Sequence, residues 1–296
     1  MMDQLYKKNN TSNQAYDFSI LIPTWNNLPY LKHCLSSIKK NSSTNIQIIV
    51  FVNEGNDGTL EWLEAQKDVD FIHTKVNAGI CYGMNLCRSL VKSDYIVYLN
   101  DDMYTLPKWD LILKEEISKL NTKLFMVSAT MIEPHDTNNP CVSVNNYGDS
   151  LENFKEDLLL KEHTQHSIPN WSGSTWPPNV VHVDTWDLVG GLSVEFSPGM
   201  YSDPDFSKKL YDAGVRIFKG VGNSLVYHFG SKSTKRVKKN TGRHMFTLKW
   251  GMSANFFSKK ILKSGKSYNK LEAEYKLSFS EKLTLKLKLI NALINK

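Results

Sequence analysis

Two adjacent carboxylates, Asp101 and Asp102, directly follow the apolar run YIVYL at 95–99. Side by side at a strand end they repel each other, and keeping both ionised calls for water or a cation between them. A solvated turn meets that need. So does a divalent ion bound together with a diphosphate, because Mg2+ and Mn2+ favour carboxylate and phosphate oxygens. Other polar groups stand after other apolar runs: Thr24, Trp25 and Asn26 after FSILIP (18–23), Asn53 and Glu54 after IQIIVFV (46–52), and Asn77 soon after FIH (71–73). Competing chemistries lack their signatures. There is no GxSxG elbow and no Cys-His nucleophile pattern. No GxGxxG follows the first strand, the glycines of GICYG (79–83) are wrongly spaced, and no Walker A lysine loop occurs.

These polar groups need a frame that brings strand ends together. Residues 18–22 read as a buried strand ended by Pro23, and 46–52 as a second, broken by the turn-rich NEGNDG at 53–58. Leu31, Cys34, Leu35 and Ile38 lie at helical spacing between them. Thr59 is a candidate cap for a helix carrying Leu60 and Leu63. A short strand at 71–73, a helix over 79–91, a strand at 95–99, a helix over 109–120 and a strand at 125–129 continue the alternation. Such alternation, with near-continuous apolar strands, predicts an α/β fold with a mostly parallel sheet covered on both faces. Ligands of such sheets gather at the carboxyl ends of the strands, where these polar residues sit. Residues 130–180 are less regular.

A chain of 296 residues with 41% hydrophobic and 22% charged residues suits a globular protein that folds without disulfide or metal staples. Cys34, Cys81, Cys87 and Cys141 form no CxxC pair, which suits a reduced, cytoplasmic chain. The polar opening MMDQLYKKNNTSN has no apolar core of a signal peptide. No run reaches the roughly 18–20 apolar residues of a membrane span. Charge is divided unevenly: residues 1–231 hold 19 Lys and Arg against 27 Asp and Glu, and residues 232–296 hold 17 against 3. A basic end on an acidic body points to an anionic partner. Phe279, Leu283, Leu287, Ile290 and Ile294 recur at helical steps with Lys282 and Lys286 beside them, although Leu283, Leu285, Leu287 and Leu289 also alternate like a strand. An interfacial helix on the inner, anionic face of a membrane is the leading reading. Packing back on the body, or against a partner helix, is the alternative. The tail has no RNP, KH or zinc-finger pattern, which argues against nucleic acid. The expected division is a loosely ordered N-terminus (1–16), a catalytic body (17–231) and a basic, largely helical tail (232–296).

Six blocks, in order, carry a resemblance: SILIPTWN, VNEGNDGTLEWL, VNAGICYGMNLCRS, SDYIVYLNDDM, VGGLSVEFSPGMYSDPDFSKKLYDAG and VYHFGSKS. Together, over roughly 18–234, they resemble the family-2 glycosyltransferases of the GT-A fold, a three-layer α/β/α sandwich. Asn100-Asp101-Asp102 stands where that family has its DxD motif, so its first carboxylate is missing. Asn53 and Glu54 replace an Asp-Asp or Asp-Asn pair, and Ser202 replaces the Glu of a Glu-Asp pair whose Asp is Asp203.

The resemblance implies a metal-dependent, inverting transfer of a sugar from a nucleotide-diphosphate donor to a glycan or lipid-linked acceptor. It implies Mn2+ or Mg2+ at Asp102 and His228, and Asp203 as general base. Pro23, Thr24, Asn26, Asn53, Glu54, Asn77, Gly79 and Asp101 would serve the donor. Trp171, Trp176, the Gly190-Gly191 pair and Asp205 would lie near the acceptor, although tryptophans in such a loop also serve as packing anchors and Asp205 fits equally a role in orienting its own segment. Arg88 fits either a phosphate contact or an ordinary surface helix arginine. The rival readings are a degenerate nucleotide-sugar-binding subunit and a nucleotidyltransferase. The second would need a basic, Gly-rich loop after the first strand, which PTWNN (23–27) is not.

Overall fold

The apolar runs become neighbouring strands. The computed structural model describes residues 5–9, 14–230, 241–271 and 273–294. Its strands are β1 (Leu5–Lys8), β2 (Phe18–Trp25), β3 (Ile46–Asn53), β4 (Val69–Thr74), β5 (Tyr95–Tyr98), β6 (Met103–Thr105), β7 (Phe125–Glu133), β8 (Val142–Val144), β9 (Trp171–Ser172), β10 (Asn179–His182) and β11 (Ile217–His228). They form one sheet in the order β1-β4-β3-β2-β5-β10-β7-β11-β6, with β8 beside β7 and β9 beside β11. The run β4-β3-β2-β5 is parallel, as the strand–helix alternation requires. β10 runs antiparallel between β5 and β7, so the sheet is mixed in its second half. A strand buried on both faces has the same apolar pattern in either direction, which is why this reversal is invisible in the sequence.

Side chains alternate across the sheet because the strand period is two. Ile20, Ile22, Ile48, Val50 and Val52 face the helices Leu28–Asn41 and Trp109–Ser118, which bury Leu31, Leu35, Trp109 and Leu113 against them. Leu21, Ile49, Phe51 and Ile72 face the opposite way, onto Cys81, Met84 and Cys87 of Ile80–Cys87 and Phe206 and Leu210 of Ser202–Asp212. The result is a three-layer α/β/α sandwich, the architecture that the resemblance implies.

Several local expectations change. Gly58, at φ +87°, precedes the helix Thr59–Glu64, so Thr59 is its first residue and not its cap. Asp57 does the capping work, accepting from the Thr59 amide and hydroxyl. β7 extends four residues beyond the predicted 125–129 and ends on a carboxylate, Glu133. The N-terminus is partly ordered: Leu5–Lys8 pairs antiparallel with β4, and Tyr6 meets Phe71 edge-on at 5.6 Å.

The change of composition near 232 is not a packing boundary. Lys232, Lys235, Arg236, Lys238 and Lys239 lie outside the described residues. Beyond them, Phe246, Phe257, Ile261 and Leu262 join the same core cluster as Phe206 and Leu210. Backbone bonds knit this segment to β9, from Ser172 N to Lys266 O at 2.8 Å and from Gly265 N to Ser172 O at 3.0 Å. Its lysines dominate the composition while its aromatic residues do the packing. Phe257→Ala should therefore cost about 3–5 kcal/mol in urea unfolding. A loss below about 1 kcal/mol, the scale of a surface change, would detach this segment from the core.

Candidate active site

A cavity of about 760 Å³ opens at the carboxyl ends of β2, β3, β5, β7 and β11. That volume is within the range of small-molecule sites. After the acidic turn the chain doubles back as β6, which pairs antiparallel with β11 so that His228 lies opposite Met103. The Phe229 amide donates to the Asp102 carbonyl at 3.1 Å. This ladder sets His228 Nε2 3.4 Å from Asp102 Oδ1. The other ring nitrogen, Nδ1, lies 2.8 Å from Glu133 Oε1, and Thr137 Oγ1 donates to Glu133 Oε2 at 3.0 Å. Burial on its own would lower the imidazole pKa, but the flanking Asp102 and Glu133 carboxylates outweigh it and push the ring up to about 10. Asp101 turns the other way, accepting from Thr24 Oγ1 at 2.7 Å and tying the acidic turn to the end of β2.

Asp203 lines the same cavity from the first turn of Ser202–Asp212. Desolvation raises its pKa to about 7. Ser202 donates its hydroxyl to the Gly199 carbonyl at 2.6 Å, so this departure from a Glu-Asp pair shapes the turn and leaves Asp203 to face the cavity. Asp205 does not reach it. Two residues along a helix is a rotation of about 200°, and Asp205 is buried on the far side. There Oδ1 accepts from Trp250 Nε1 at 2.8 Å and pairs with Lys249 at 2.9 Å. Its placement fits a structural tie to the C-terminal segment.

The expected donor residues divide into a wall and its supports. Pro23, Thr24, Asn53, Asn77 and Asp101 line the cavity. Asn26 and Glu54 lie behind that wall. Glu54 Oε2 accepts from Trp25 Nε1 at 2.8 Å and from Asn26 Nδ2 at 3.2 Å, which fixes the Trp25 ring that does line the cavity. Asn53 Nδ2 donates to Asn77 Oδ1, which also accepts from the Gly79 amide at 3.0 Å. Gly79 has φ +77°, and a Cβ there would lie 2.9 Å from Pro198 Cα, so its role is close backbone packing beside the site.

On the opposite wall, Trp171 and Trp176 both border the cavity. Trp171 is held as an anchor: its ring lies over Gly220, where a Cβ would come within 1.8 Å, and Nε1 donates to Thr130 Oγ1 at 2.8 Å. Trp176 is 39% exposed and free to present a ring face. Gly190 and Gly191 end the helix Val183–Val189 away from the cavity lining. Arg88 forms a bidentate pair with Asp187 there and does not face the site.

Sequence reasoning missed five lining residues. Glu133 was hidden because the strand was expected to stop at 129, although the apolar pattern continues through MI to the glutamate. Trp25 sat in a noted block with no role assigned. Asn255, Ser258 and Lys259 line the cavity from the C-terminal segment, which composition had set apart from the body.

The profile of "Glycosyl transferase family 2" matches residues 19–173, which carry the acidic turn and most of the cavity floor. The chain belongs to that family. It is a glycosyltransferase. It is 24% identical over 259 residues to the glycosyltransferase GlyG of Streptococcus pneumoniae, spanning 82% of this chain and 79% of that protein. In fold it is similar to S. aureus TarS solved with UDP, with a TM-score of 0.57 at 12% identity, covering 95% of this chain and 72% of that one. It is also similar to GalNAc-T7 solved with UDP, GalNAc and Mn2+, with a TM-score of 0.53 at 12% identity, covering 73% of this chain and 44% of that one.

The desolvation of Asp203 in this glycosyltransferase has a thermodynamic signature. Its folded pKa is about 7 against about 3.9 for an unfolded aspartate, so the native state binds the extra proton between those values. Its contribution is therefore most stabilising below about 4 and is lost as pH rises through about 7. Asp203→Asn removes that dependence. In thermal melts the variant should gain on the wild type as pH is raised from about 4 to about 8; a constant difference would remove Asp203 from a desolvated site.

Proposed function

We propose that this glycosyltransferase moves a sugar, with inversion, from a nucleotide-diphosphate donor to a hydroxyl of a glycan or lipid-linked glycan, using Mn2+ or Mg2+. The observation that supports this most directly is the convergence of Asp102, His228 and Asp203 on one cavity. Asp102 and His228 offer an oxygen and a nitrogen on facing side chains, a donor set that suits a divalent ion, particularly Mn2+. Glu133 behind the imidazole would fix its tautomer and leave Nε2 for the metal. Among the described residues, no cluster of three His, Cys, Asp or Glu side chains could hold a metal ion. That suits a metal arriving with a diphosphate, whose oxygens complete the coordination. Charge argues the same way. Asp101, Asp102 and Glu133 outnumber the protonated His228 and Lys259 on the cavity lining, and this carboxylate excess repels a diphosphate unless a cation accompanies it. When bound, the ion acts as a Lewis acid on the leaving diphosphate.

Asp203 would supply the proton acceptor. Its pKa near 7 places it where a general base works best at neutral pH. It would take the acceptor hydroxyl proton as the oxygen bonds to the anomeric carbon. The bond from that carbon to the diphosphate breaks on the opposite side, its electron pair leaving with the phosphate oxygen. A single candidate base and no recognised nucleophile motif support one displacement, hence inversion. Pro23, Thr24, Asn53 and Asn77 would border the nucleotide, with Asn26, Glu54, Gly79 and Asp101 holding that wall in place. Trp176 would stack on the acceptor, with Trp171 behind it. The UDP and UDP-GlcNAc in the TarS structures support a nucleotide-sugar donor. Four buried, unpaired cysteines suit a cytoplasmic setting.

Asp203→Asn should lower kcat by about 10²–10⁴ with donor affinity held. Wild-type kcat/KM should rise with pH through about 7, and full turnover in the variant would assign the base elsewhere. Titration calorimetry tests the metal. Asp102→Ala should abolish Mn2+-dependent binding of a nucleoside diphosphate, and Glu133→Ala should weaken it about 10–100-fold. Wild-type affinity in both would remove the metal from this site.

A further inference from the structure

The C-terminal helix Phe279–Ile294 carries two apolar faces. Leu285 is buried, with Leu289 and Ala292 half-buried on the same side. Phe279, Leu283, Leu287, Ile290, Leu293 and Ile294 point elsewhere, each between 42% and 84% exposed. At about 100° per residue, these six fall within an arc of roughly 120°, as wide as the stripe a surface helix normally buries. The two faces also explain why Leu283, Leu285, Leu287 and Leu289 alternate like a strand: successive members serve opposite sides of one helix.

The helix is fixed in place. Ser278 and Glu281 form a reciprocal capping box at its start. Tyr275 Oη donates to Glu281 at 2.8 Å, and the Tyr275 amide donates to the Tyr211 hydroxyl of the body at 2.6 Å. The exposed stripe is therefore presented outward on an anchored element, and a contiguous apolar patch of this kind marks an interaction surface.

We propose that this stripe lies in the interface of an anionic bilayer. The charges select that partner. Lys282 is exposed at the edge of the stripe and Lys286 within its arc, and Lys276 and Lys288 are exposed elsewhere on this segment. The whole segment 232–296 holds 17 Lys and Arg against 3 Asp and Glu. An apolar stripe of this kind sinks about 5–10 Å into the headgroup boundary, while lysines within or beside it lay their stems on the apolar surface and reach anionic headgroups. A second copy of the chain would set one lysine-bearing stripe against another. Among the described residues no helix is long and apolar enough to cross the membrane, so the contact is with its surface.

The test floats the full-length protein with vesicles of phosphatidylglycerol and phosphatidylcholine, and with phosphatidylcholine alone. It should rise with the first and stay behind with the second. Binding should fall as salt goes from about 0.1 M to about 1 M, because the screening length shortens from about 10 Å to about 3 Å. The triple variant Leu283→Ser, Leu287→Ser, Ile290→Ser changes exposed positions and leaves Leu285 in place. It should lose vesicle binding about tenfold or more with its melting temperature held. Lys282→Glu with Lys286→Glu should do the same at low salt. Equal flotation with phosphatidylcholine alone, or undiminished binding by the triple variant, overturns the proposal. So does a dimer in size-exclusion chromatography that the triple variant converts to a monomer while vesicle binding is absent.

Discussion

The short ladder between β6 and β11 is the constraint on which the site depends. Three residue pairs, flanked by backbone bonds from Phe229 to Asp102 and from Leu106 to Leu225, bring the acidic turn and the far end of the last strand into register. A shift by one residue would turn His228 to the other face of the sheet. The carboxylate of Asp102 would then face a different side chain, and Glu133 would lose its partner. Backbone hydrogen bonds suit this task because they leave strand register little freedom.

That rigidity sets charges close together at a strand end, and the surroundings manage them. Thr24 takes one oxygen of Asp101, while His228 sits between Asp102 and Glu133. An imidazole flanked by two carboxylates keeps its proton far above its usual range, so the ring neutralises part of the acidic wall when no metal is present. Asp203 stands apart from these pairs. Burial alone raises its pKa to about 7.

Much of this was legible in the residues. The buried strands announce themselves as apolar runs, and their ends carry Thr24, Asn53 and Asp101 where the cavity forms. The helix carrying Asp203 was recognised through its block resemblance. The resemblance singled out Asp203, but the place of Asp205 depends on the helix's orientation: a rotation of about 200° sends it to Trp250 instead of the cavity. Glu54 and Asn26 were assigned to the donor because they are polar at a strand end, yet their hydrogen bonds run to Trp25 and the adjoining loop. Direction of β10 was out of reach for a different reason, since burial on both faces erases the pattern that distinguishes parallel from antiparallel. Composition misled at 232, where abundant lysines concealed Phe246 and Phe257.

The position of Asn255, Ser258 and Lys259 has a consequence for biosynthesis. A ribosome delivers the acidic turn, the proposed base and His228 well before these residues emerge. Until they do, the growing chain has an open wall and lacks Phe257 from its core. The cavity is therefore finished only after residues 255–259 have emerged, and a nascent chain stalled before residue 254 holds the chemical groups without the wall that completes the pocket.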